Sequence, residues 1–212
     1  MREIALHLLD LAENSVSAGA KTVTISVCED LRADILTASI ADDGRGMDAE
    51  TVKKVTDPFY TSRTTRKVGL GIPLLKGAAE ECNGGLTISS TPGQGTLVEV
   101  TFQHSHIDRM PLGNLPATFL GLTVGHPDTH WIFRYTARGF NTEDSFEFDD
   151  QPVKETLQDV PLSHPDVLAY LRENLDDGLR ETQKILQNDS QPSQASHITL
   201  PGSALSRSNQ GE

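Results

Sequence analysis

The strands of this chain come in adjacent pairs. TVTISV at 22–27 alternates Val23, Ile25 and Val27 with hydroxyl residues, and ILTASIA at 35–41 follows with no helical pattern in between. LTISS at 86–90 and TLVEVTF at 96–102 repeat the arrangement across the turn TPGQG. Alternation at period two reads as a strand with one buried face. Around these pairs, residues 2–16 place Ile4, Leu8 and Leu11 at the spacing of one helical stripe. Residues 48–56 read as a short helix opened by Asp48, 57–70 as a loop without periodicity, and 72–82 as a helix closed by NGG at 83–85. The order is helix, two strands, helix, loop, helix, two strands. It predicts an α/β fold of two layers, with a mixed sheet covered by helices on one face, and not a run of βαβ units.

Past His104 the texture changes. NLPATFLGLTV (114–124) predicts a helix, WIFRYTARGF and SFEFDD (131–150) a hairpin, and 164–187 a longer acidic helix with Val167, Leu168, Leu171 and Leu175 on one side. Residues 188–212 are rich in Ser, Gln, Asn and Gly and predict a disordered tail. The expected organisation is a first domain over 1–103, a small α/β extension over 104–187 and the tail over 188–212.

The net charge of −12 argues against general nucleic-acid binding, because a phosphate backbone would be repelled. Glu3, Asp10 and Glu13 interrupt the first apolar stretch, so it does not read as a signal peptide, and no apolar run is long enough to span a bilayer. The expected location is the cytoplasm, with Cys28 and Cys82 as reduced thiols.

Four segments carry candidate chemistry. Asp10 and Asn14 are four residues apart on one helical face, with His7 a turn earlier. An Asn oxygen can ligate Mg2+, and a carboxylate can orient or deprotonate water; an ordinary polar outer face is the alternative. ADDGRGM (41–47) puts an Asp and a G-x-G at a strand end, where a ligand can approach the backbone. That Asp could accept a hydrogen bond from an adenine amino group. DPFYTSRTTRKVGLGIP (57–73) carries Thr61, Ser62, Arg63, Thr64, Thr65, Arg66 and Lys67, then Val68, Gly69, Leu70 and Gly71 before a helix. A helix N-terminus favours anions, so the cationic, hydroxyl-rich run suits a phosphate-covering lid as well as a solvated loop. TPGQGT (91–96) is a glycine turn between strands. Elsewhere, His104 and His106 form an H-x-H pair with no third metal ligand at a diagnostic spacing.

Together and in this order these segments resemble the Bergerat-type ATP-binding domain shared by histidine kinases, DNA gyrase and mismatch-repair ATPases. LDLAENSVSAGAKTVTI resembles the N box, DDGRGM the G1 box, DPFYTSRTTRKVGLGI the F and G2 boxes, and TPGQGTLVEVTF the final strand pair. The likeness covers residues 4–103. It implies ATP and Mg2+ as ligands, with Asn14 on the metal and Asp42 reading the adenine amino group. Gly44 and Gly46 would shape that wall, with Met47 against the base. Thr61, Ser62, Arg63, Val68, Gly69, Leu70 and Gly71 would line the phosphates, and Thr96 would help hold a water beside Asp42. MREIALHLLDLAENSVSAGA, HIDRMPLG and DVPLSHPDVLAYL also resemble a narrower group, stand-alone ATP-binding proteins encoded near iron-only hydrogenases in anaerobic bacteria.

Two departures bear on function. Asp10 stands where histidine kinases place Asn and the hydrolysing relatives place Glu as general base; it keeps the carboxylate and is one methylene shorter. The domain is also expected to start at residue 2, with no phospho-accepting hairpin before it. Three readings follow: a slow Mg2+-dependent ATPase whose nucleotide switches a protein partner, a protein kinase acting in trans, and a non-catalytic ATP sensor. The acidic stretch 143–181 suggests a basic partner, and the sequence leaves the oligomeric state open.

Overall fold

The computed structural model describes residues 3–56, 71–158 and 160–188. Six strands form one sheet: β1 (Thr22–Asp30), β2 (Ile35–Asp42), β3 (Gly85–Thr91), β4 (Gly95–Gln103), β5 (His130–Arg138) and β6 (Glu143–Asp149). Their order across the sheet is β3-β4-β2-β1-β5-β6. Neighbours are antiparallel except β1 and β5, which run parallel from Thr22↔His130 to Asp30↔Arg138. The helices are α1 (Ile4–Ser17), α2 (Ala49–Val55), α3 (Gly71–Glu81), α4 (Leu115–Gly125), α5 (Gln151–Leu157) and α6 (Pro165–Asn188). The mixed sheet and helical layer match the architecture predicted from the sequence.

Alternation decides which face carries the helices. Val23, Ile25 and Val27 on β1, Leu36, Ala38 and Ile40 on β2, Val98, Val100 and Phe102 on β4, and Trp131, Phe133 and Tyr135 on β5 are all buried on one side. The alternate positions are mostly hydroxyl or charged residues. The predicted hairpin at 131–150 is present, and it takes its third strand from β1, so residues on both sides of His104 share one sheet. An isolated strand pair is marginal in water, and β1 together with α6 supplies what this one lacks.

α4 is apolar on nearly every side because it is enclosed between α1, α6 and β5. Its Phe119 meets Trp131, Phe133 and Phe148 at ring-centroid distances of 6.5, 5.3 and 5.7 Å. The start of α1 has no side-chain cap; its Ile4 and Ala5 N–H groups donate to the carbonyls of Pro111 and Leu112 at 3.0 and 2.8 Å. On α6, Val167, Leu171, Leu175 and Leu179 repeat every four residues against the sheet, and Leu168 is partly buried beside them. Helix α5 has no counterpart in the sequence reading. It is a short element that Pro152 helps to start, and it buries no residue that would mark it by periodicity.

Strand β1 runs three residues beyond its predicted end at Val27. Its last buried position is Glu29, a charge that breaks the apolar alternation. Glu29 is retained because His104 Nε2 lies 2.9 Å from it and the Tyr135 hydroxyl donates to it. Burial alone would raise its pKa, but these hydrogen bonds outweigh burial and hold it below the usual carboxylate value of 4.5. A carboxylate whose pKa falls on folding stabilises the fold above its unfolded pKa, and that stability is lost as pH falls through the folded value. Glu29→Gln is therefore expected to cost about 1–3 kcal/mol near neutral pH. The gap to the native chain should narrow in acid below the unfolded value. Urea midpoints at neutral and acidic pH check this, and a pH-independent gap would contradict it.

Candidate nucleotide site

Helix α1 supplies one wall. At 100° per residue His7, Asp10 and Asn14 fall within an arc of about 60° beside the apolar stripe. The Asp10 carboxylate reaches the start of α3. A Cβ placed on Gly71 would lie 1.8 Å from Asp10 Oδ2, so only glycine admits this approach. Gly71 opens the 11-residue α3, and the first N–H groups of a helix carry partial positive charge.

Strand β2 supplies the second wall, ending on Asp42. Its two carboxylate oxygens are held separately: Ser15 Oγ donates to Oδ2 at 2.7 Å and the Gly44 N–H donates to Oδ1 at 2.9 Å. Asp43 has another task. Its Oδ1 accepts the N–H groups of Lys21 and Thr22 at 2.6 and 2.9 Å and ties the turn to the start of β1. Of the two adjacent aspartates, the first thus faces α1 and the second secures the backbone. Asp48 begins α2 by accepting the Thr51 N–H at 2.7 Å.

The third wall is the β3–β4 hairpin. Thr96 is the register partner of Asp42. Ser90 Oγ lies 2.9 Å from Thr96 Oγ1, donates to the Gly95 carbonyl at 2.9 Å and accepts the Met47 N–H at 2.8 Å. Gly46 has φ +64°, and a Cβ there would come within 2.0 Å of the Thr91 carbonyl oxygen. The turn 44–47 can pack against the hairpin only with glycine at this point.

Asp42, Gly44, Gly46, Met47 and Thr96 thus form one contact network, tied to α1 through Ser15, and Asp10 and Gly71 meet elsewhere on the same helix, with Asn14 on the arc of Asp10. Thr61, Ser62, Arg63, Val68, Gly69 and Leu70, and the lid expected over 57–70, lie outside the described residues. Ser15 and Ser90, which orient Asp42 and the hairpin, were not singled out from the sequence. A serine beside the N box has no signature by itself; its partner is 27 positions away.

The H-x-H pair is divided between two tasks. His104 turns in to Glu29, and His106 Nδ1 accepts the Asp108 N–H at 3.2 Å. The group of potential metal ligands that does converge among the described residues is His130, Asp149 and Asp150. The Lys154 ammonium sits 2.7 Å from Asp150 Oδ2 and supplies the positive charge there. Burial raises the pKa of Cys28 and of Cys82, which disfavours the thiolate that redox chemistry needs. Among the described residues no helix is long and apolar enough to cross a membrane.

Comparison with known proteins gives the chain's relatives. Over 117 residues the chain is 33% identical to the Non-motile and phage-resistance protein of Caulobacter vibrioides, a match covering 51% of this chain and 14% of that protein. It is 26% identical over 108 residues to a Putative sensor histidine kinase NtrY-like of Rickettsia conorii, covering 51% of this chain and 18% of the relative. The chain therefore spans less than a fifth of the length of these relatives. Among solved structures, the N-terminal domain of a DNA repair protein aligns with a TM-score of 0.50 at 15% identity, over 68% of this chain and 52% of that one. At that identity the likeness is one of fold. Residues 2–106 match the family described as Histidine kinase-, DNA gyrase B-, and HSP90-like ATPase, and over those residues the chain belongs to it.

Proposed function

We propose that this chain binds Mg-ATP between α1, the turn after β2 and the start of α3, hydrolyses it slowly, and uses the bound nucleotide to switch a protein partner. The observation that carries this reading is the convergence of three distant segments: Asp10 against Gly71, and Asp42 held by Ser15 on one side and by register with Thr96 on the other. Asp42 reads the adenine amino group, Gly44 and Gly46 let the base approach the turn, and Met47 lies against it. The start of α3 takes the phosphates.

Asn14 offers a hard amide oxygen, the donor chemistry Mg2+ takes, beside a carboxylate and a helix N-terminus that suits phosphate. When bound, Mg2+ would neutralise phosphate charge. The chain's own contribution is to hold the attacking water at Asp10. Asn14→Ala is expected to abolish Mg2+-dependent nucleotide binding. Asp10→Asn should leave binding intact and lower hydrolysis by about 10²-fold or more, the usual contribution of a placed general base. Wild-type phosphate release from Asp10→Asn would remove Asp10 from that role.

The sensor histidine kinase among the relatives favours a second reading, phosphoryl transfer in trans to another protein. Incubation with γ-labelled ATP, with and without cell extract, separates the two: free phosphate supports the ATPase, labelled protein the kinase, and no turnover leaves a sensor. A basic partner draws less support from the fold than from composition. Glu143, Glu147, Asp177 and Glu181 pair within the chain with Arg138, Arg134, Arg180 and Lys184.

A further inference from the structure

The polar arc of α1 contains a side chain to which the proposed mechanism gives no task. His7 is 2% exposed, and its Nδ1 has no hydrogen-bond partner among the described residues. Buried polar atoms are nearly always satisfied, by protein or by water. His7 is three residues before Asp10 and faces the same way. That direction is fixed at both flanks of the helix. Asp10 meets Gly71 on the α3 side, while Glu13, on the other side, meets His126 after α4 at 2.9 Å. The imidazole is therefore buried about 60° round the helix from the carboxylate, between it and the apolar stripe. Burial pushes its pKa below the ordinary 6.5, with Asp10 pulling the other way, so the ring is neutral at neutral pH. A neutral ring protonated at Nε2 presents Nδ1 as an acceptor.

We infer that His7 is the proton-accepting partner of Asp10, taking at Nδ1, directly or through one water, the proton that Asp10 removes from the attacking water. This inference rests on the hydrolytic reading. In the step, the water oxygen forms a bond to the γ-phosphorus, and the bond between that phosphorus and the β-phosphate oxygen breaks, leaving its electron pair on ADP. The proton lost by water passes to the Asp10 carboxylate and then to Nδ1. It leaves the imidazolium with the phosphate product or to solvent, which restores both side chains. The buried ring nitrogen, which has no other partner among the described residues, has a free lone pair for that proton. Asp10 is thereby returned to its ionised state before the next water arrives. The aspartate is one methylene shorter than the glutamate of the hydrolysing relatives, and a second acceptor behind it supports that shorter base.

The test uses the full chain and His7→Asn, whose side-chain amide can place an oxygen where Nδ1 stands but cannot carry the proton. The expected result is unchanged affinity for a non-hydrolysable ATP analogue with Mg2+, and phosphate release lower by about tenfold or more. His7→Asn that binds the analogue normally and releases phosphate at the native rate overturns the inference. Histidine-selective 15N NMR of the native chain reads the same contact without turnover or a folded variant. The His7 Nδ1 resonance should move on loading with Mg2+ and the analogue, as the nitrogen gains a hydrogen bond. A resonance unmoved in the loaded chain overturns the inference. Failure of the native chain to release phosphate overturns the hydrolytic reading and this proton path with it, whichever way the resonance behaves.

Discussion

Asp42→Asn is expected to weaken ATP binding by more than tenfold while leaving the empty protein folded. The substitution changes almost no volume, so the effect comes from hydrogen-bond polarity. Asp42 already accepts from two donors, the Ser15 hydroxyl and the Gly44 N–H. An adenine amino group would be a third donor. A carboxylate accepts from all three, having two oxygens and no proton. An asparagine amide must turn its NH2 toward one of these sites. Toward Gly44 it meets a fixed N–H, and toward the base it meets the adenine amino group. The Ser15 hydroxyl could rotate to accommodate it, at the cost of the bond that orients residue 42. Loss of one charge-assisted bond is worth about 1.5–3 kcal/mol, which is tenfold or more in affinity. Calorimetric titration with Mg-ATP measures the effect, and thermal unfolding without nucleotide separates it from a folding defect. Unchanged affinity would remove Asp42 from the adenine site.

Truncation after Phe102 or Gln103, which the sequence suggests as a way to separate nucleotide binding from partner binding, is expected to abolish cooperative folding. Three losses combine. Strand β1 gives up its parallel partner along its whole length, from Thr22↔His130 to Asp30↔Arg138. The flank of α1 that packs on α4 is bared. The Ile4 and Ala5 N–H groups lose the Pro111 and Leu112 carbonyls. An unsatisfied buried donor costs about 1–3 kcal/mol, and each large apolar side chain returned to water about 1.5–3 kcal/mol. A few such terms equal the whole stability of an ordinary domain, about 5–15 kcal/mol. The measurement is a urea or thermal transition of residues 1–103 followed by circular dichroism. A sharp transition with native ATP affinity would show that 104–188 is dispensable to the site, and the later segment could then be a separate partner module.

What was legible in the sequence follows from how local each feature is. The helical spacing of Ile4, Leu8 and Leu11, the alternation in TVTISV and the glycine turns at 44–46 and 93–95 are set by neighbouring residues, and the elements they predict are present. The places of Asp42 at a strand end and of Gly71 at a helix start were legible for the same reason, since each lies at the end of a periodic element. Pairing is less local. Nothing in WIFRYTARGF says that it will lie beside β1, because strand partners are chosen by burial across the whole sheet. Ser15 and Ser90 are small hydroxyl residues among many, and only register brings them to Asp42 and Thr96. Glu29 breaks an apolar alternation, and the residues that make its burial tolerable, His104 and Tyr135, are distant in sequence.

The two outer strands of the sheet are unlike each other. The outermost strand β6 carries Glu143, Asp144, Glu147 and Asp149, while β3 at the opposite border carries no charged residue. An endless stack of sheets needs a head-to-tail junction, one border of each molecule joined to the opposite border of the next. Here that junction would strip water from four carboxylates, a device that natural sheets use to keep their borders from pairing. Two β3 borders can meet without that penalty, but such a meeting uses both of them and leaves acidic borders outward. The asymmetry thus sets a ceiling on runaway polymerisation: strand-to-strand growth that began at β3 would stop at two molecules.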